Sequence, residues 1–457
     1  MQPRSRNSYK RATILSPGNN LPKITRKLTG EFRRVWYVEK VLKRAPASRP
    51  VLRLGNVRRA NRAVILQLLR HDDELSRADI ARLSGLSEPA TSRIIGGLIR
   101  DGLIIETGDE KPTGGRPGRR LQLNPRRVAL GVQVDNTETR FALTNMRGAI
   151  MEGWSVPTPE VAVEAIEVVA QEIAHHRRRR SLERIDGIGL CMRGIVDSRA
   201  GVLVQGNRAD WSRVEVRRLL EERLAEPIYV DNDVRAAAHA EYSFGPAELR
   251  QAHCLIFVGI SHGLGATILL DGRIHYGPRM AAGEFGQMTM LASNSHSEQA
   301  TTLEQLVSDE TLCRRYSQQP DARERQPGED VSGFAQHIAQ WAVAGEQAAL
   351  TALEETARHL GTGIANMVWG LDADAVVIDG ALARAWPITA PLLRERLPDV
   401  YQASGLPVLL RPSALAGDGA VIGAASMPFS TVFASSDPLP AVRAYTAQKK
   451  RPEHELA

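Results

Sequence analysis

From Val57 to Arg70 apolar residues recur at helical spacing (Val57, Ala60, Val64, Ile65, Leu68), which predicts a helix with one face turned toward partners. A second helix is expected to begin at Ser76, whose hydroxyl can cap free amides while Asp79, three residues on, completes a capping box. Ser84-Gly85-Leu86-Ser87 reads as a tight turn in which Gly85 takes positive φ and Ser87 caps the helix that follows. That third helix spans Glu88 to Arg100. Ile94 and Leu98 share a face with Leu86 across the turn, so Glu88, Ala90, Thr91 and Arg93 are expected to point outward. Leu103-Ile104-Ile105 and Leu121-Gln122-Leu123 then predict two strands. The loop joining them holds Gly114-Gly115-Arg116-Pro117-Gly118-Arg119-Arg120.

A helix–turn–helix followed by a basic hairpin is the order of a winged DNA-binding head, placed here at residues 56–126. Glu88, Ala90, Thr91 and Arg93 would face base edges or phosphates in the major groove. Arg116, Arg119 and Arg120 at the wing can enter a narrow minor groove. A short helical triple with a solvated charged loop is the competing interpretation, and the agreement of independent local signals favours DNA.

Beyond Asn124-Pro125 the pattern changes. Val128 to Asp135 is an apolar run of buried-strand type, Thr139 to Asn145 is a second strand, and Val161 to His176 is an amphipathic helix ending in a basic run, His175 to Arg180. Cations at a helix C-terminus favour the macrodipole, so that run is expected to be solvated. Strands at Ile185–Cys191 and Ile228–Asp231 flank a helical stretch, Val214–Leu224. The alternation resumes with Cys254–Gly259, Gly265–Leu270, a long helix around Gln347–Gly370, and Ala375–Asp379. This predicts two α/β lobes, residues 127–240 and 241–425, facing one cleft with ligand-binding loops at the strand ends; residues 426–457 form a polar tail.

Charge changes the picture at one end only. The chain carries 59 Lys+Arg against 52 Asp+Glu, a net of +7. Residues 1–55 hold 14 Lys/Arg and two acids, Glu31 and Glu39, so they contribute +12 and the remainder 7 − 12 = −5. That basic arm lacks sustained apolar periodicity and is expected to be disordered, apart from a possible short patch at Val35-Trp36-Tyr37-Val38. It has no apolar core of a secretory signal, and no run reaches membrane-spanning length, which points to a cytoplasmic protein. Cys191, Cys254 and Cys313 are too few and too dispersed for a disulfide framework or a cysteine zinc site.

Over residues 57–425 the chain resembles the ROK family of repressors and sugar kinases. The most specific match is Val230-Asp231-Asn232-Asp233-Val234-Arg235-Ala236-Ala237-Ala238, followed by Glu241 and Phe244-Gly245. It resembles the segment bearing a sugar-binding Asn and the catalytic Asp. Asn207, in Gly206-Asn207-Arg208-Ala209-Asp210-Trp211, resembles the Asn that contacts sugar ahead of a Trp. Ala282 to Thr289 resembles the loop whose Glu, here Glu284, binds sugar hydroxyls, and Leu303-Glu304-Gln305-Leu306 the segment supplying a further Glu. The resemblance implies a two-lobed actin/hexokinase-like (ribonuclease H-like) body behind the winged α+β head. It also implies operator DNA and a sugar effector as partners, with assembly as a homodimer or homotetramer. Carboxylates and amides suit such a ligand independently, since they exchange several hydrogen bonds with vicinal hydroxyls.

Departures from the family pattern separate regulator from kinase. The first phosphate loop should be glycine-rich so that backbone can approach phosphate, but here it reads Asp135-Asn136-Thr137-Glu138-Thr139. The second reads Ser261-His262-Gly263-Leu264-Gly265-Ala266-Thr267, and Asp379 stands where the later loop has glycine. Nucleotide binding is expected to be lost, leaving Asp233, the position of the kinase base, as a sugar ligand. Zinc is not expected either: Gln287 replaces the family His, no cysteine occurs from Ser293 to Thr302, and His296 and Cys313 alone are too few ligands. Gln287 can still bind sugar. Arg193 replaces the usual Pro before Gly194 and could select a phosphorylated or acidic sugar, unless it forms an outward ion pair. The expected function is a sugar-responsive transcriptional regulator, a repressor of carbohydrate uptake or catabolism genes. An active ATP-dependent kinase with a DNA-binding head, or a constitutive DNA binder with a vestigial pocket, would compete.

Overall fold

Cap chemistry organises the head. The computed structural model describes residues 54–72, 75–109, 119–180, 185–206, 208, 210–294, 297–397 and 407–433. The basic arm up to residue 53, the wing tip with Arg116, Asn207, and the tail past Phe433 lie outside the described residues. Helices α1 (Leu54–His71), α2 (Arg77–Ser84) and α3 (Glu88–Arg100) form the triple. The Asp79 N–H donates to Ser76 Oγ at 3.2 Å and the Ser76 N–H returns to the Asp79 carboxylate at 3.2 Å, closing the expected box. Gly85 takes φ +69°. Ser87 departs from expectation: it holds the cap position in extended conformation, but its hydroxyl makes no cap bond, and Pro89 starts the helix instead. Strands β1 (Leu75–Ser76), β2 (Ile104–Asp109) and β3 (Arg119–Leu123) pair in the order β1-β3-β2, giving the wing its base.

Helix α1 is more buried than a one-faced stripe. Ala63, Val64, Ile65, Leu66, Leu68 and Leu69 are all buried, whereas Val57 is exposed. A second apolar partner explains this: Phe429 and Phe433, from the far end of the chain, pack into the same core.

The body consists of two lobes that repeat one sheet topology. In the first, β4 (Val128–Val134), β5 (Glu138–Asn145) and β6 (Ile150–Pro157) run as an antiparallel meander, while β7 (Ile188–Met192) and β11 (Ile228–Asn232) extend the sheet in parallel from β4. A small sheet, β8 (Ile195–Asp197), β9 (Val202–Gln205) and β10 (Ser212–Val214), lies between β7 and β11 in the chain. In the second lobe β12 (Cys254–Ile260), β13 (Leu264–Leu270) and β14 (Arg273–Ile274) form the meander. There β17 (Ala375–Asp379) and β18 (Leu409–Pro412) add the parallel strands, and β15 (Thr289–Asn294) pairs with β16 (Ser297–Thr302) as a separate hairpin. Helix α4 (Ala162–Arg180) shares the core of the first sheet. The long helix α6 (Gln347–Leu371) shares that of the second. Arg177, in the basic run of α4, pairs with Glu226 of its own lobe.

Two helices belong to both halves. Helix α5 (Asp233–Phe244) buries Ala237 and Ala238 against Leu255 and Phe257 of the second sheet, and Ala236 against Cys191 and Ala424. Helix α7 (Gly419–Ser426) follows the second lobe in sequence yet lies on the first sheet. A Cβ on Gly189 would fall 1.8 Å from the Ala424 carbonyl oxygen, and one on Gly131 2.1 Å from that of Val421, so backbone rests on backbone there. Boundaries drawn at residues 240 and 425 therefore cut across elements that the two lobes share.

Candidate DNA interface and interlobe cleft

On α3 the exposed residues are Glu88, Pro89, Ser92, Arg93 and Arg100, with Ala90 half-buried. Thr91 corrects the sequence-based expectation: it is wholly buried, because the inward stripe runs through Thr91, Ile95 and Leu98, about one residue around the helix from the expected Ile94 and Leu98. Its hydroxyl has no hydrogen-bond partner. Ser92 takes the outward position, which the sequence pattern had missed. At the wing base Glu106 accepts from Arg119 at 2.8 Å and from Arg77 at 2.8 Å, and these two guanidiniums hold its carboxyl below the usual range. Arg119 remains largely exposed, while Arg120 is half-buried.

The repeated topology brings four loops together: those after β4 (Asp135–Thr137), β7 (Arg193–Gly194), β12 (Ser261–Gly263) and β17 (Gly380). Such loops at the carboxyl ends of strands are where open α/β sheets bind ligands. Asn232 caps α5, its Oδ1 accepting from the Arg235 N–H at 3.0 Å and its amide donating to the Gly194 carbonyl at 3.1 Å and to Asp233 Oδ1 at 3.0 Å. Its amide is thus largely spent on holding Asp233 in place. Burial raises the Asp233 carboxyl; Arg193 opposes that shift and Asp135 adds to it. Glu284, exposed at the cleft edge, has its carboxyl raised by partial desolvation, with Arg235 opposing and Glu304 and Asp233 reinforcing, so the three carboxyls share one field.

Glycines set this geometry. A Cβ on Gly283 (φ +98°) would meet the Ala266 carbonyl oxygen at 2.0 Å, and one on Gly286 that of Leu264 at 2.4 Å, so the Glu284 loop lies directly on β13. Glu304 braces the neighbouring loop, accepting from the Leu264 N–H at 3.0 Å. The Gln287 side chain is exposed one turn beyond Glu284.

Arg193 and Asp135 form a two-contact pair, Nε to Oδ1 at 3.0 Å and Nη2 to Oδ2 at 3.1 Å. Burial disfavours charge on Arg193, but Asp135 and Asp233 outweigh it. His262 pairs with Glu310 at 2.7 Å. Asp309, which the sequence pattern did not single out, is 3% exposed; Ser332 donates to its Oδ2 at 2.7 Å, its Oδ1 has no partner, and burial pushes the carboxyl up to about 7. Its position beside Ser308 reads from sequence only as a helix start.

A cavity of about 170 Å³ lies elsewhere, lined by Ser198, Asp231, Arg235, His239 and Tyr276 and by none of Asp233, Glu284 or Glu304. Asp231 gathers most of its polar groups: Ser198 and Tyr276 donate to its two oxygens at 2.7 and 3.0 Å, and Arg235 Nε approaches at 2.7 Å without forming a hydrogen bond. This network supports the strand end that presents Asn232 and Asp233.

A family model described as the ROK family matches residues 129–429. The chain belongs to the ROK family. A model of a winged helix-turn-helix DNA-binding domain matches residues 60–105. The chain is 27% identical over 358 residues to the DNA-binding transcriptional dual regulator NagC of Escherichia coli, covering 75% of this chain and 86% of that protein. It is 22% identical over 378 residues to the xylose repressor of Bacillus subtilis, covering 81% and 95%. In fold it is similar to a ROK family transcriptional regulator described as a homolog of the E. coli MLC protein (TM-score 0.67, 22% identity, 86% of this chain and 100% of that one). It is also similar to a ROK family glucokinase from Streptomyces griseus (TM-score 0.55, 22% identity, 66% and 98%). The winged head and the two-lobed ROK body expected from sequence are therefore those of this chain. In the loops after β4 and β17, Asp135 pairs with Arg193, and Asp379, raised by burial, accepts from the Gly380 N–H at 2.9 Å.

Proposed function

We propose that this ROK protein is a sugar-responsive transcriptional repressor whose body senses the ligand and does no phosphoryl transfer. One observation carries the reading: the head and the cleft share structure. Helix α5, which begins at Asp233, packs on α7, and the chain leaving α7 inserts Phe429 and Phe433 into the core of the head. The Gln67 side-chain amide donates to the Phe433 carbonyl at 3.1 Å, and the Arg70 guanidinium lies 3.4 Å from the Phe433 ring centroid. A ligand held by Asn207, Asn232, Asp233, Glu284, Gln287 and Glu304 biases the angle between the lobes, and the shared helices pass that bias to the head. In a homodimer or homotetramer the spacing of two heads then changes relative to a two-part operator in the cytoplasm.

The reading includes no nucleotide and no zinc. A phosphate in the first loop would meet Asp135 and displace it from Arg193. The Cys313 thiol donates to the Val331 carbonyl at 3.6 Å, and among the described residues no three His, Cys, Asp or Glu side chains are grouped to hold a metal ion. No described helix is long and apolar enough to cross a membrane. The test is selection of fragmented genomic DNA by the purified protein, with and without Arg116→Ala/Arg119→Ala. Enrichment of a two-part site that weakens in the variant supports the repressor; no enrichment above a salt-sensitive background sinks it. Retention of Asp233 favours one second reading, an active sugar kinase. ADP release across a sugar panel that disappears in Asp233→Asn would establish it.

A further inference from the structure

Resting on the cleft as effector site, we infer that the effector is an uncharged or amino sugar and that phosphorylated and acidic sugars are excluded. Among the described residues, the two arginines whose charge acts on Asp233 and Glu284, Arg193 and Arg235, are already held by the protein. Arg193 donates from Nη2 to Asp135 Oδ2 at 3.1 Å, with its Nε 3.0 Å from Oδ1. Arg235 faces Asp231 and donates to the carbonyls of Met280 and Val196. Arg208 donates to the carbonyls of Asn136, Pro159 and Glu160. The carboxylates are less committed. Glu304 uses one oxygen on the Leu264 N–H, and Asp233 accepts from Asn232 and the Val234 N–H through Oδ1 alone.

Hydroxyl and ammonium groups donate to carboxylates, whereas a phosphate can only accept at neutral pH. A phosphate on the hydroxyl facing Asp233 would meet Asp233 and Asp135, and it could recruit Arg193 only by stripping Asp135 of its partner. An ammonium carried by the same sugar meets the opposite field. Arg193, which by residue type alone could select an anionic sugar, is thus neutralised by Asp135 and turned into part of the barrier.

The experiment is calorimetric titration of the full chain with a library of neutral mono- and disaccharides, amino sugars, sugar phosphates and uronic acids. At least one neutral or amino sugar is expected to bind, with its phosphorylated counterpart weaker by about tenfold or more. Asp135→Asn frees Arg193 and is expected to recover about tenfold in affinity for the phosphorylated form; Arg193→Gln in that background removes the gain. Melting curves verify that each variant is folded. A phosphorylated or acidic sugar that binds the unmodified protein as tightly as its neutral form overturns the charge assignment and leaves the effector site standing. Unchanged selectivity in folded Asp135→Asn overturns the assignment too. Heat from no member of the library overturns the effector-site reading and the assignment together.

Discussion

At the residue scale, the two neighbours Thr91 and Arg93 separate stability from recognition. Thr91 is wholly buried with an unpartnered hydroxyl, so Thr91→Val is expected to raise the unfolding free energy by about 1 kcal/mol and leave DNA affinity unchanged. Arg93→Ala is expected to do the reverse, lowering operator affinity by about 1–3 kcal/mol with no change in melting temperature. Paired melting and operator titrations check both. Asp309 supplies the pH dependence. Its carboxyl titrates near 7 in the folded chain and near the ordinary carboxylate value when unfolded, so the folded state binds the extra proton between them. Its contribution to stability is present below about pH 4 and is lost as pH rises toward 7, at about 1.4 kcal/mol per unit of separation at most. Asp309→Asn, which keeps an oxygen for Ser332, is expected to flatten that decline; melting curves from pH 4 to 8 that fall equally in both proteins would refute it.

At the element scale, α7 is held by glycines rather than by side-chain interlock. Gly189→Ala would drive a methyl into the Ala424 carbonyl, and the sheet centre offers no room to yield. The expected loss is about 1–3 kcal/mol or more, read from denaturant unfolding. Gly345, with no neighbour within 4 Å of its Cβ position, differs only through its φ of +90°, so Gly345→Ala is the milder comparison. Among elements, those with a clean period were legible: β4, β5, β12 and α6 appear within a residue or two of their expected ends. Strand β6 was not, because it is an edge strand with no fully buried position, so its apolar residues do not alternate against a core. The hairpin β15–β16 carries no apolar stripe either.

At the scale of the whole molecule, the C-terminal segment ties sensor to head. Phe433→Ala removes a ring from the core of the head and the stacking partner of Arg70. The head is expected to lose about 3–5 kcal/mol. At temperatures where it remains folded, the effect of a bound sugar on operator affinity, of order 1–3 kcal/mol in such coupled systems, is expected to shrink. Operator titrations with and without saturating sugar measure this. A Phe433→Ala protein that responds to sugar as fully as the unmodified one would show that the signal travels by another route.

Local information determined much of this protein. The capping box at Ser76, the left-handed Gly85, the periodic strands and helices and the order of carboxylates and amides along the body can all be read from the sequence, because caps, turns and periodicity depend on residues a few positions apart. What only the tertiary structure decided involves contacts between distant parts of the chain. Thr91 turns inward because the core selects which neighbouring stripe of α3 to bury. Asp135 captures Arg193, 58 residues away, and so reverses what that arginine would otherwise recognise. Phe433 completes a core begun at Val64. None of these pairings leaves a trace in local pattern, since each is set by which surfaces the fold brings together and which charges it shuts away from water.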